Sequence, residues 1–183
     1  TPAASGAPGR CRGLGNDNSR LSLKHGEYYG TRRGVPRKNV CHLRNTAAEE
    51  IPRDIFDREI AAPIGAFLRK AGLVESVYYL VTTAGVPLKI VGTTQLQGNY
   101  ASVDSELAVL YSDLKTGKPH TLAGPWPNPF FGNRDSQFSH PQFPLYLVTR
   151  LAASDFEGFT GLIAPAPITA HPRQFPTPPS PPP

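Results

Sequence analysis

The run Ser76-Val77-Tyr78-Tyr79-Leu80-Val81-Thr82 restricts the fold more than any other part of the chain. It is apolar on both of the faces that alternate along an extended backbone, and only a strand covered above and below meets that condition. A central strand of a parallel sheet is such a strand. The neighbouring segments agree with it. Asn16-Asp17-Asn18-Ser19 can cap a helix over about 20–33, because their side chains accept from its free backbone N–H groups, and Gly34-Val35-Pro36 ends it. A short strand is expected at 38–43. Pro52 can begin a second helix whose Phe56, Ile60, Ile64, Phe67 and Leu68 form one apolar stripe; Pro63 predicts a kink or two stacked short helices, and Gly72 the stop. Strands at 86–91 and 145–150 and helices at 103–112, capped by Ser102, and 153–163 complete the pattern. Such alternation predicts an α/β domain with a mostly parallel three-layer sheet, Rossmann-like or flavodoxin-like.

Composition marks off both ends of the chain. Nine of the 21 prolines in the 183 residues fall in 164–183, which reads as a Pro-rich disordered tail. Residues 1–15 carry Leu14 as their one sizeable aliphatic and read as a disordered low-complexity segment. The helix at 20 should follow a buried strand, and 1–15 are not expected to supply one. The domain is therefore placed at 16–163 and expected to be incomplete, lacking its first strand and its C-terminal part. Residues 113–144 read as a long aromatic and Pro-rich loop that includes Trp126, Phe130 and Phe131, a length that points to function or insertion.

The net charge of +5 is unevenly spread, with nine Lys and Arg against two acids in 1–44 and ten against twelve beyond. The basic part lacks the aromatic–basic repeat that stacks bases, so it reads as a solvated helix face rather than a nucleic-acid site. No apolar run reaches the roughly 20 residues of a membrane-spanning helix. The start of the sequence has no basic region followed by an apolar stretch, so a signal peptide is not in it. Cys11 and Cys41 permit at most one disulfide and make no CxxC or Cys/His metal cluster; no metal site is expected, and Cys41 reads as a small buried strand residue.

In open parallel sheets, ligands bind beyond the carboxyl ends of strands, where strand order reverses. A strand ending at Asn16 would lie beside the strand ending at Thr82, so Asp17 and Asn18 would face Thr82, Thr83 and Gly85 across one crevice. These five are the candidate ligand-binding residues. Asp104 and Glu106, in the first turn of the third helix, and Arg150, at the end of the last strand, are the candidate catalytic residues, although two residues so spaced on a helix point in different directions. His140, just before that strand, is the best-placed histidine. Dinucleotide, phosphate-loop, nucleophile-elbow and HExxH motifs are absent, and no cofactor is assigned.

Several runs occur together and in order: Tyr28-Tyr29, Arg33-Gly34-Val35-Pro36, Asn39-Val40, Tyr79-Leu80-Val81-Thr82-Thr83, Gly85-Val86-Pro87-Leu88, Ala101-Ser102-Val103-Asp104-Ser105-Glu106-Leu107 and Pro144 through Leu151. Over about residues 16–163 the chain resembles an uncharacterised bacterial family associated with exosortase and the PEP-CTERM protein-sorting system. The resemblance implies an exported protein, periplasmic or associated with the cell envelope. Its expected partner is an envelope substrate or a protein of the sorting machinery, and its expected role is hydrolysis of envelope protein or polysaccharide, or else a binding or scaffold module. Thr82, Thr83, Gly85, Asp104, Ser105, Glu106 and Arg150 match motif positions of unassigned role. Ala84 stands where the family has lysine. The family has an apolar strand before the Asn/Ser segment and a longer helix and further domain after the Thr-Arg-Leu strand, so the chain is expected to be a fragment or frame-altered beyond about residues 15 and 163.

Overall fold

The computed structural model describes residues 10–92, 100–120, 127–132, 136–153 and 155–163. In chain order the elements are β1 (Cys11–Asn16), α1 (Arg20–Arg33), β2 (Val40–Leu43), β3 (Glu50–Pro52), α2 (Arg53–Phe56), a π-turn (Asp57–Ala61), α3 (Ala62–Lys70), β4 (Tyr79–Thr83), β5 (Lys89–Val91), β6 (Tyr100–Ser102), α4 (Val103–Thr116), β7 (Leu147–Leu151) and α5 (Phe156–Ile163). Four strands form a parallel sheet in the order β2-β1-β4-β7. The α/β class and the mostly parallel sheet expected from the sequence are present. A second sheet, β3-β5-β6, pairs β5 antiparallel with β6. Its strands of three residues are too short for periodicity to reveal, and β3 and β6 were not foreseen.

The strand that the sequence seemed to lack is β1, and it occupies the centre of the sheet. Gly13 pairs with Val40 on one side and Val81 on the other, and Leu14 with Cys41 and Thr82. Reading 1–15 as disordered, with the first strand missing, is corrected for residues 11–15. Composition misled because Gly13, Gly15 and Arg12 leave one aliphatic in six residues. In a strand bonded on both edges, backbone pairing and neighbouring elements provide the order that intrinsic preference does not.

Side-chain alternation sets the layers. Leu14 and Leu80 enter the main core with Phe56, Ile60, Ile64, Leu68, Leu107 and Tyr111 from the helical segments on one face. Thr83 and Gly15 face α1 on the other, where α5 packs beside it. Of the apolar stripe read from 56–68, Phe56, Ile60, Ile64 and Leu68 are buried and Phe67 is half-buried against the same core. Pro63 interrupts the helix differently: a π-turn precedes it, in which the Ala62 N–H reaches back to the Asp57 carbonyl. The wider turn accommodates a ring that lacks an N–H. Ser19 caps α1 and Ser102 caps α4, and Gly34 ends α1 at φ 62°, all as the sequence predicts.

Two histidines lie among aromatic rings, His25 buried and His140 half-buried. His25 of α1 stacks on Phe159 of α5 at 3.6 Å between centroids, and His140 lies 3.9 Å from Tyr111 and 5.1 Å from Tyr78. None of their four ring nitrogens has a hydrogen-bond partner. Burial pushes both below the ordinary histidine range; for His140 the nearby Glu75 pulls the other way and Lys115 adds to the drop.

Substituting Leu14→Ala should cost about 2–5 kcal/mol in chemical denaturation, as for a core strand residue; a cost within about 0.5 kcal/mol, normal for a solvent-exposed site, would return 11–16 to disorder. The histidines add a pH dependence. As pH falls through about 6.5, the unfolded chain takes up protons that the folded chain refuses, so stability present at neutral pH is lost toward acid. Thermal unfolding should shift down between neutral pH and about pH 5, and the double variant His25→Phe/His140→Phe should flatten that slope.

Candidate functional site

Strand order reverses between β1 and β4, so the segments that follow them meet at one end of the sheet. They are fastened to each other. The Asn16 side chain donates to the Gly85 carbonyl at 2.8 Å, and the Asn45 side chain reaches the same oxygen at 3.3 Å. Below them the Asn16 N–H donates to Ser22 Oγ at 2.7 Å, Ser22 Oγ lies 2.6 Å from Thr83 Oγ1, and Thr83 Oγ1 donates to the Leu14 carbonyl at 3.2 Å. Each hydroxyl has one proton; with the Thr83 proton on Leu14, Ser22 is the donor of the pair. Gly85 has φ 91°, and a Cβ there would fall 2.6 Å from Ser19. Thr83 and Gly85, expected to meet a ligand, are engaged in closing the loop after β4 onto the cap of α1. Thr82 and Thr83 are both buried.

Asp104 and Arg150 come together as the sequence suggested. The guanidinium donates through Nε to Asp104 Oδ2 at 2.9 Å and through Nη2 to Oδ1 at 2.7 Å. Its remaining bonds go to the carbonyls of Val86, 2.7 Å from Nη1, and Pro87, 3.0 Å from Nη2. Thr82 Oγ1 donates to Asp104 Oδ1 at 3.3 Å. One side chain therefore joins β7, the first turn of α4 and the turn after β4. Both carboxylate oxygens are occupied, so the arrangement is a clamp, and the two-pronged fork is one that lysine cannot make.

Glu106 is elsewhere. Two positions along the helix turn it about 200° from Asp104, toward Arg53, whose Nη1 donates to Glu106 Oε2 at 2.6 Å. His120 Nε2 lies 3.1 Å from that oxygen, and His120 Nδ1 lies 2.9 Å from Asp113 Oδ2. Glu106 belongs to this half-buried charged chain and does not form a site with Asp104 and Arg150. His140 is misplaced by the sequence reading too. It contacts Tyr78 and Tyr146, which precede β4 and β7, so it sits at the amino ends of the strands, opposite the crevice.

Facing solvent at the carboxyl end is a pair that no local pattern in the sequence marks. His42 Nδ1 lies 2.7 Å from Asp17 Oδ1, with the two side chains 58% and 28% exposed. Exposed Asn18 stands beside them, its Nδ2 bonded to the Asn45 carbonyl at 3.1 Å. The signal for His42 was the parallel pairing itself. Gly15 is opposite His42 and Asn16 opposite Leu43, so Asp17, one residue past β1, is brought beside His42. Cys41, next to His42, is buried; burial first and then the Asp17 charge push its thiol up to about 11, which keeps it protonated. Cys11 and Cys41 are both free. Among the described residues no group of three or more His, Cys, Asp or Glu could hold a metal ion.

In the long loop, Phe130 packs with Phe138 and Phe143, whereas Phe131 is 87% exposed. Trp126 lies outside the described residues. No helix among the described residues is long and apolar enough to cross a membrane. Fold and site define a doubly wound α/β domain with its polar residues gathered at the switch point. Compared with protein-family models, curated proteins and solved structures, the chain has no match.

A double-mutant cycle over Asp104→Asn and Arg150→Lys should give a coupling of about 1–3 kcal/mol in denaturant titrations. A coupling near zero would show that the clamp does not hold β7 to α4.

Proposed function

We propose that this chain is an exported, envelope-associated hydrolase of the exosortase-associated family it resembles, acting on envelope protein or polysaccharide, with Asp17 and His42 as its acid–base pair. The observation that carries the reading is the 2.7 Å contact between His42 Nδ1 and Asp17 at the carboxyl end of the sheet. When Nδ1–H donates to the carboxylate, the tautomer is fixed and Nε2 is left as an acceptor. Nε2 takes a proton from water, the resulting hydroxide attacks the scissile carbon, and the imidazolium returns the proton to the leaving group. Asn18 keeps a second amide hydrogen with which to hold an anionic oxygen. Asp104 and Arg150 support this site by holding the loop after β4.

A second reading, a non-catalytic module that binds the sorting or export machinery, draws on Phe131, which is exposed beside a packed aromatic cluster. The two separate in one experiment. The full-length protein is assayed on envelope-derived peptide and polysaccharide substrates beside His42→Gln, Asp17→Asn and Phe131→Ser. Under the hydrolase reading, His42→Gln and Asp17→Asn lower kcat by about 100-fold or more while the unfolding midpoint stays put. No turnover by the unsubstituted protein, with a sorting-machinery partner retained by it and lost on Phe131→Ser, would replace the hydrolase with the binding module.

A further inference from the structure

The ion pairs of the described residues use Arg53, Arg58, Lys89, Lys115, Arg150 and two histidines. None uses a cation of α1 or of the turn that follows it. Arg20, Lys24, Arg32, Arg33, Arg37 and Lys38 are all exposed and have no carboxylate within ion-pair distance among these residues. The carboxylates of the layer are fewer: Glu27 on α1, Glu157 on α5, and Asp155, which is engaged in capping α5 through the Gly158 N–H at 2.7 Å. Salt bridges elsewhere on this domain are common, so among the described residues these six cations of α1 and the turn after it are not neutralised by the fold.

Apolar side chains stand among those charges. Phe156 of α5 is 41% exposed and Leu162 59% exposed. Phe156 lies edge-on to Tyr28 at 5.5 Å, and the Arg32 guanidinium lies 5.9 Å from the same tyrosine ring. At the other end of α5, Arg33 Nη2 donates to the Ile163 carbonyl at 3.4 Å, next to Leu162. Arg32 and Arg33 of α1 therefore stand by the two ends of α5, and Lys24, four residues before Tyr28, shares the Tyr28–Arg32 face of α1. A nucleic-acid groove would use the cations but has no use for an exposed leucine at its margin. The interface of a bilayer uses both, with guanidinium and ammonium groups at lipid phosphates and apolar tips in the acyl boundary.

We infer that the α1–α5 layer is a docking surface for a membrane rich in anionic phospholipid, held by Lys24, Arg32, Arg33 and Arg37 and by insertion of Phe156 and Leu162. This layer covers the sheet face opposite α4, and the inference stands whether or not the Asp17–His42 pair is catalytic.

The test is co-sedimentation of the full chain with vesicles of phosphatidylcholine alone and of phosphatidylcholine mixed with phosphatidylglycerol, at low and high salt, with a single-stranded oligonucleotide titrated in parallel. The unsubstituted protein should partition at least about tenfold better onto the anionic vesicles, less so at high salt. The triple variant Lys24→Glu/Arg32→Glu/Arg37→Glu should lose about tenfold or more of that partitioning, and Leu162→Ser about threefold, with far-UV circular dichroism and the unfolding midpoint unchanged. Equal binding to both vesicles, no binding, or anionic binding untouched by these variants would overturn the inference. So would oligonucleotide binding tighter than vesicle binding and indifferent to Leu162→Ser, which would mark the layer as a polyanion site. If the triple variant fails to fold, Leu162→Ser and the salt dependence alone decide, since the leucine is exposed and the salt series needs no substitution.

Discussion

The parallel contact between β1 and β4 organises everything else. It sets the reversal of strand order, and its carboxyl end is fastened by bonds that Asn16 and Ser22 make to the segment after β4. Those groups are buried, where an unmade bond costs the desolvation of the group and not merely the bond. Asn16 can reach the Gly85 carbonyl only because a residue without Cβ lets the backbone close onto Ser19. The switch point, which in such folds is ordinarily a crevice, is here drawn shut at its centre, and the accessible polar groups lie to its two sides.

That division explains which residues remain for chemistry. On the β7 side, Arg150 spends its donors on Asp104 and on two carbonyls, and both oxygens of the Asp104 carboxylate are engaged. On the β2 side, Asp17 and His42 are bonded to each other at one ring nitrogen, and the other is left over. The first arrangement holds architecture and the second has the form of an acid–base pair. Polar residues at one edge of one sheet thus differ in capability by how many of their bonding positions the protein itself occupies.

Much of this was legible in the chain. The period-3.6 stripe of 56–68, the caps at Ser19 and Ser102, the glycine stop at Gly34 and the doubly apolar strand read at 76–82, which forms at Tyr79–Thr83, are local patterns, and local patterns survive in any tertiary setting that buries them. Asp104 meeting Arg150 followed from placing a helix start and a strand end at the same edge. The failures share one physical cause. β1 is made by pairing on both sides and not by the preference of its glycines; β3 and β6 are three residues long and exist through their partners; His42 acquires its neighbour from register; His140 goes to the opposite edge because Tyr78 and Tyr111 offer it a ring-lined pocket.

The sequence by itself determined the α/β class, the helices with the Ser19, Gly34 and Ser102 caps, and the central place of the strand read at 76–82, because hydrophobic periodicity, capping and glycine or proline stops act within a few residues; α4 runs on to Thr116 and α5 begins only at Phe156. Only the tertiary structure decided that 11–16 is a strand, that Asp104 and Glu106 part company, and that Asp17 finds His42. Each of those depends on which strands lie side by side and in what register, and residues 25 positions apart carry no local mark of the partner they will meet.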